Sequence, residues 1–246
     1  MRLKACINGA RRPFEHPAIP VSADQMAADV SAVAAAGADG VHLHVKDDRG
    51  ADTLAAQPLA RVLDAVRERT PGLPIGVTTG AWALPDPAAR VAAIRSWDTR
   101  PDFASVNWHE GGAEEVARAL LDQGIEVEAG LWHEAAVDLW ARSPVRDDCV
   151  RVLLELPDGP DPAATVAIAQ QLLARVRRVA GDRAPVLLHG EGSSCWPALR
   201  EAARLGLPTR IGLEDTLMLP DGSHAPDNAA LVSAALRLID TEKTEK

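Results

Sequence analysis

At 246 residues, the chain is the right length for a single α/β barrel, a fold of about 250 residues. A formal net charge of −9, with arginine doublets only at Arg11-Arg12 and Arg177-Arg178, gives no basic surface for nucleic acid. No apolar run reaches the ~20 residues of a membrane span. The N-terminus Met1–Asn8 lacks the pattern of a secretory leader, and Cys6, Cys149 and Cys195 are odd in number and fit no C-x-x-C motif. A cytoplasmic protein with reduced, core-packed thiols is predicted.

Read in order, β-type runs alternate with helical patterns eight times. The strands are predicted at Leu3–Asn8, Gly40–Val45, Pro74–Thr79, Phe103–Trp108, Glu126–Leu131, Cys149–Leu156, Pro185–His189 and Thr209–Glu214. The helices are predicted at Ser22–Ala35, Ala55–Arg69, Asp86–Ser96, Ala113–Gln123, His133–Arg142, Asp161–Ala180, Trp196–Leu205 and Asp227–Ile239. Ser22, Asp86, Asp161 and Asp227 stand at N-cap positions, and Gly124, Gly181 and Gly206 stand where helices stop. Strict alternation implies parallel pairing with helical crossovers. No G-x-G-x-x-G follows the first strand. The reading is one (β/α)8 TIM barrel over residues 1–246, with a frayed tail at 241–246.

Strand 2 carries Val41-His42-Leu43-His44-Val45. Alternation puts both imidazoles on one face, which suits half of a zinc site; a pair of hydrogen-bonded core histidines is the competing reading. Chemistry in such barrels gathers at the carboxyl ends of the strands. Strand 8 closes the barrel beside strand 1, so strands 8, 1 and 2 are consecutive. On strand 8 (Thr209–Glu214), Arg210, Gly212 and Glu214 share a face. An inward Glu214 needs a partner, either a metal held by His42 and His44 or Arg210. Gly212 reads as an empty position open to metal, water or substrate. Two histidines and a carboxylate form a three-ligand set with an open position, the pattern of catalytic zinc.

These residues resemble the β-keto acid cleavage enzyme family. The matching pieces are Cys6-Ile7-Asn8-Gly9-Ala10, Gly37–His44, Thr78-Thr79-Gly80, Arg210–Asp215 and Asp227-Asn228, which span nearly the whole chain. The resemblance implies a zinc-dependent (β/α)8 barrel, with the metal at the ends of strands 2 and 8. The implied reaction is an acyl exchange of retro-Claisen type between a β-keto acid and acetyl-CoA. It gives acetoacetate or acetoacetyl-CoA and a new CoA ester. By position it makes His42, His44 and Glu214 the ligands of one zinc per chain, and Arg210 and Asp215 a catalytic pair. Arg210 is expected to lower the proton affinity of Asp215. Thr78 falls where the family holds the substrate carboxylate with a hydroxyl, and Thr79 beside it joins the substrate set. A homo-oligomer is also implied.

Two departures bear on substrate. Arg11 stands where members acting on amino-bearing keto acids carry an acid, so an anionic or neutral substituent is expected. The family's Gly-x-Gly-Arg after strand 7 is replaced by Gly190-Glu191-Gly192-Ser193. Asn8 is expected to bond substrate or His44, or to form a turn. Asn107 ends strand 4 and Glu128 points inward from strand 5, both as substrate-binding candidates. His109, Glu110, His189 and Glu191 lie at strand ends with roles open, and Asp215 reads alternatively as a helix cap. Two other functions fit a His-x-His barrel: an amidohydrolase-type zinc hydrolase, and a barrel that binds ligand without turnover. The first normally carries its pair on strand 1; the altered loop after strand 7 suggests the second.

Overall fold

The structure is a computed structural model that describes residues 2–182 and 184–244. Its strands are β1 (Leu3–Cys6), β2 (Gly40–Leu43), β3 (Ile75–Thr78), β4 (Phe103–Asn107), β5 (Glu126–Leu131), β6 (Arg151–Leu156), β7 (Val186–Gly190) and β8 (Thr209–Ile211). The helices between them are α1 (Ala23–Ala35), α2 (Ala56–Arg69), α3 (Pro87–Arg95), α4 (Ala113–Asp122), α5 (Glu134–Arg142), α6 (Pro162–Ala180), α7 (Cys195–Leu205) and α8 (Asn228–Thr244). All pairings are parallel, in the order β7-β6-β5-β4-β3-β2-β1-β8. The last seam is drawn together where the Leu188 amide donates to the Pro208 carbonyl (3.0 Å) and the Thr209 hydroxyl donates to the Leu188 carbonyl (2.8 Å). The result is a nearly closed (β/α)8 TIM barrel.

Local chemistry sets the element boundaries. Ser22 forms a reciprocal capping box with Gln25, and the Asp86, Asp161 and Asp227 carboxylates accept the amides of Ala88, Ala164 and Ala230. His133, expected as the first residue of a helix, caps α5 by accepting the Ala136 amide at Nδ1 (3.3 Å). Helix α8 runs through Thr244, past the expected fray at 241; Glu245 and Lys246 lie outside the described residues. Cys6 and Cys195 are buried free thiols. Among the described residues no helix is long and apolar enough to cross a membrane.

The strands that carry the site are shorter than the sequence predicts, and the reason is specific. The Asn8 side chain replaces the ladder where β1 and β2 part: its Oδ1 accepts the His44 amide (2.8 Å) and its Nδ2 donates to the His44 carbonyl (2.9 Å). Strand β8 stops at Ile211 because Gly212 abuts β1. A Cβ at Gly212 would lie 1.9 Å from the Cys6 carbonyl oxygen. The position expected to be open to ligand is therefore filled by backbone. Beyond it the chain turns, with the Asp215 and Thr216 amides donating to the Gly212 carbonyl.

Polar residues occupy the barrel interior below the site. Lys4 and Glu128 are fully buried, with Nζ 2.5 Å from Oε2, and Arg151 Nε stands 3.4 Å from the other Glu128 oxygen. Lys4 also lies over the Phe103 ring at 5.2 Å. A buried charge stripped of its partner is costly. Lys4→Met is therefore expected to lower unfolding stability by about 3–5 kcal/mol in a denaturant titration. The double variant with Glu128→Gln should recover much of the loss; no recovery would show that the pair is not coupled.

Candidate active site

His42 sits on β2 opposite Cys6 of β1, and His44 follows the strand end on the Asn8 clamp. The two rings meet edge-on, with centroids 5.4 Å apart and planes at 77°. The chemistry of His44 is fixed by Asp52, whose Oδ2 lies 2.9 Å from Nδ1. A carboxylate only accepts, so Nδ1 carries a proton and Nε2 is the nitrogen left for a ligand. Nε2 faces Glu214, 3.7 Å from Oε2. Burial and the neighbouring Lys4, His44 and Arg210 push the pKa of His42 well down, which keeps its imidazole neutral.

Glu214 reaches this point from the turn after β8 rather than by strand alternation. Its amide donates to the Cys6 carbonyl (3.2 Å), and its side chain packs against Gly9, where a Cβ would lie 2.6 Å from Glu214 Cγ. Arg210, on β8 opposite Lys4, spans two acids. Its Nη2 lies 3.0 Å from Glu214 Oε1, while Nε and Nη2 donate to Asp215 Oδ1 at 3.0 and 2.7 Å. Arg210, one of the two partners weighed for Glu214, is thus in place on Oε1, while Oε2 is turned toward His44. Burial raises the pKa of Asp215 to about 7 against the pull of Arg210. Arg210 lowers it, as expected, but desolvation outweighs the ion pair.

One ligand atom from each of His42, His44 and Glu214 lies within 4.8 Å of the others. His42 Nδ1 and Glu214 Oε2 are buried without hydrogen-bond partners, a costly arrangement unless another group satisfies them. Two imidazoles and a carboxylate are the donor set of a divalent cation. The residues present fit such an ion.

The site opens into a cavity of about 350 Å³ at the carboxyl ends of the strands. Thr78, Asn107 and Arg11 line it as the sequence suggests. The Thr78 oxygen accepts the Gly80 amide (3.1 Å), which leaves its proton to donate. Asn107 is steered by Glu110, which also pairs with the buried Arg90 at 2.7 Å. Arg11 is held at the rim by the Leu213 carbonyl (2.6 Å) and by Glu15 (3.1 Å). Three candidates lie outside the lining. The Thr79 hydroxyl donates to the Ser105 carbonyl, Asn8 is consumed by the Pro20 and His44 backbone, and Glu128 is paired with Lys4 below. Thr79 and Asn8 are satisfied internally rather than by a ligand, and Glu128 is held in its ion pairs with Lys4 and Arg151.

Other groups also enter the site, Asp52 among them without a clear sequence signal. Asp52 arrives from a loop eight residues past His44, and Trp82 stacks on the His44 ring (5.8 Å, 15°) while donating to Asp52 (2.8 Å). Glu155, near the end of β6, lines the cavity and is pushed up to about 8 by burial. Its position inside an apolar strand was the one available clue. His189 lies between Glu155 (3.5 Å) and Asp215 (4.0 Å), with both ring nitrogens lacking hydrogen-bond partners and its pKa pushed down by burial. Glu191 lines the cavity, and the altered loop behind it is tied back where the Gly192 amide donates to the Asp215 carbonyl (2.8 Å). His109 sits on the surface against Trp132 (4.6 Å) and His133 (5.6 Å), outside the lining.

Comparison with known proteins matches the chain to one family. A profile of the beta-keto acid cleavage enzyme family matches residues 1–245. A 3-oxoadipate:acetyl-CoA acetyltransferase of Cupriavidus necator is 28% identical over 250 residues, covering 93% of this chain and 84% of its own. A 3-keto-5-aminohexanoate cleavage enzyme of Fusobacterium nucleatum is 24% identical over 254 residues, covering 96% and 90%. Among solved structures, ObcA in binary complex with oxaloacetate superposes with a TM-score of 0.70 at 19% identity, over 90% of this chain. The chain spans 63% of the length of ObcA, and the likeness is one of fold. The match over nearly the full length makes the chain a member of the beta-keto acid cleavage enzyme family.

Proposed function

We propose that the chain is a zinc-dependent enzyme that exchanges acyl groups between a β-keto acid and acetyl-CoA. The observation that carries this reading is Arg210, shared between Glu214 on the cation side and Asp215 on the cavity side. The family match and the acetyltransferase relative support the reaction class. His42, His44 and Glu214 would hold the cation, which supplies a Lewis acid for the keto oxygen. Thr78 donates its free hydroxyl proton to the substrate carboxylate. Asp215 has both arginine bonds on Oδ1 and a buried, unpartnered Oδ2, so Oδ2 is the atom that takes the C2 proton as the keto acid's enolate forms and returns it to the enolate released when the carbon–carbon bond breaks. Arg210 holds that carboxylate still and restrains its rotation. Arg11 at the rim disfavours an ammonium substituent; anionic or neutral ones fit.

A panel of β-keto acids incubated with the zinc-loaded protein and acetyl-CoA tests this, with new CoA esters as the readout. Turnover is expected for acids bearing anionic or neutral substituents and not for amino-bearing ones. Arg11→Glu should shift preference toward the amino-bearing acids. No ester from any acid, with zinc bound, would support the non-catalytic barrel; amide hydrolysis without CoA would support the hydrolase.

A further inference from the structure

The chain between β2 and α2 folds back on itself in a way that the reaction does not by itself require. Residues 45–53 form a small hairpin. The Asp47 amide donates to the Ala51 carbonyl (2.7 Å), the Thr53 amide donates to the Val45 carbonyl (2.9 Å), and Lys46 bridges Asp52 in antiparallel register. The tip is built locally. Asp47 Oδ1 accepts the amides of Arg49 (2.8 Å) and Ala51 (2.9 Å), and Gly50 takes φ +74°. Its effect is to return Asp52 to the side of His44, with the Asp52 side chain only 6% exposed.

Three donors converge on that one carboxylate. Oδ2 accepts from His44 Nδ1 (2.9 Å) and from Trp82 Nε1 (2.8 Å); Oδ1 accepts from Lys46 Nζ (2.5 Å). Lys46 also donates to the Gly9 and Arg11 carbonyls, at 2.5 and 3.3 Å, which ties the loop after β1 to the same node. With the His44 backbone held by Asn8 and its ring stacked by Trp82, Asp52 is the group that decides which nitrogen of His44 is free.

We propose that Asp52 is the positioning residue of the cation site: it holds His44 as the Nδ1–H tautomer with Nε2 toward Glu214, and it couples that ligand to the Trp82 wall of the cavity. The inference rests on the reading of His42, His44 and Glu214 as the ligands. An outer carboxylate on a ligating histidine fixes ring orientation and raises ligand basicity. Because Trp82 shares Asp52 with His44, its indole is placed to report on metal entry.

The test titrates zinc ion alone into metal-free protein, by calorimetry and by competition with a chromophoric chelator, with no substrate present. Asp52→Ala is expected to weaken zinc binding about 10–100-fold relative to wild type. Asp52→Asn keeps the shape but turns an amide donor toward either His44 or Lys46, so it too should weaken binding; it serves if the alanine variant does not fold. Asp52→Glu should restore part of the affinity. Tryptophan fluorescence should change on zinc addition in wild type, much less in Trp82→Phe, and less in Asp52→Asn. A folded Asp52→Asn protein with wild-type zinc affinity would overturn the inference while leaving the ligand set intact. Zinc binding absent in wild type, or unchanged in His42→Ala, would instead overturn the ligand set and the inference with it.

Discussion

His42→Ala and Glu214→Ala should each purify with far less than the one zinc per chain expected of the wild type. The loss of affinity should exceed the roughly 10–100-fold drop that follows removal of an outer partner, because each variant deletes a donor itself. Acyl exchange should be lost in proportion. The two substitutions act differently on what remains. His42→Ala removes an uncharged ring whose Nδ1 has no partner in the protein, so its thermal stability should change little beyond the loss of packing. Glu214→Ala also frees one side of Arg210, which keeps its bonds to Asp215 at 2.7 Å. Metal analysis by mass spectrometry, together with a thermal melt, separates the two effects. Full zinc content in both variants would remove the electrophile from the proposed chemistry and require another site for it.

The second large effect is expected at Asp215. Asp215→Asn keeps the volume and can still accept from Arg210, but it cannot take a proton. Turnover should fall about 10²–10⁴-fold, the range supplied by a positioned general acid or base. Zinc content should stay at the wild-type level, since Asp215 is absent from the three-residue donor cluster. KM for the keto acid should move far less than kcat, because the lost interaction belongs to the reacting state. Arg210→Lys is the companion variant. A lysine carries the charge but not the fork that reaches Glu214 Oε1 and Asp215 Oδ1 together, so an intermediate loss is expected. An Asp215→Asn protein with wild-type kcat would place the proton transfer elsewhere, and Glu155, cavity-lining and held largely protonated at neutral pH by burial, would be the residue to examine.

The stability of the floor and the chemistry of the mouth are linked through Lys4. Its charge compensates Glu128 below and contributes to keeping His42 and His189 neutral above. A ligand histidine must be unprotonated to bind a cation; the buried Lys4 ammonium disfavours the imidazolium form, and by the same field it opposes the cation's charge. The fully polar Lys4–Glu128 pair inside a barrel usually filled by branched aliphatics is thus consistent with an electrostatic as well as a packing role.

Local features carried the fold. Runs such as Gly40–Leu43 and Val186–Gly190, with helices opened by Ser22, Asp86, Asp161 and Asp227, are set by side-chain periodicity and capping bonds within a few residues. Those terms are written in adjacent positions, and eight repeats of them admit few topologies. The spacing of His42 and His44 was legible for the same reason, alternation on strand 8 pointed to Arg210 and Glu214, and the resemblance supplied Asp215. What only the tertiary structure decided were the long-range bonds. Glu214 arrives on a turn that Gly212 forces against Cys6; Asn8 spends its amide on His44; Glu128 closes on Lys4 rather than on a ligand. Asp52 and Trp82 meet across two loops with no sequence period to announce them. A buried polar group must find a partner wherever the folded chain places one, and that choice depends on three-dimensional proximity, which neighbouring residues do not encode.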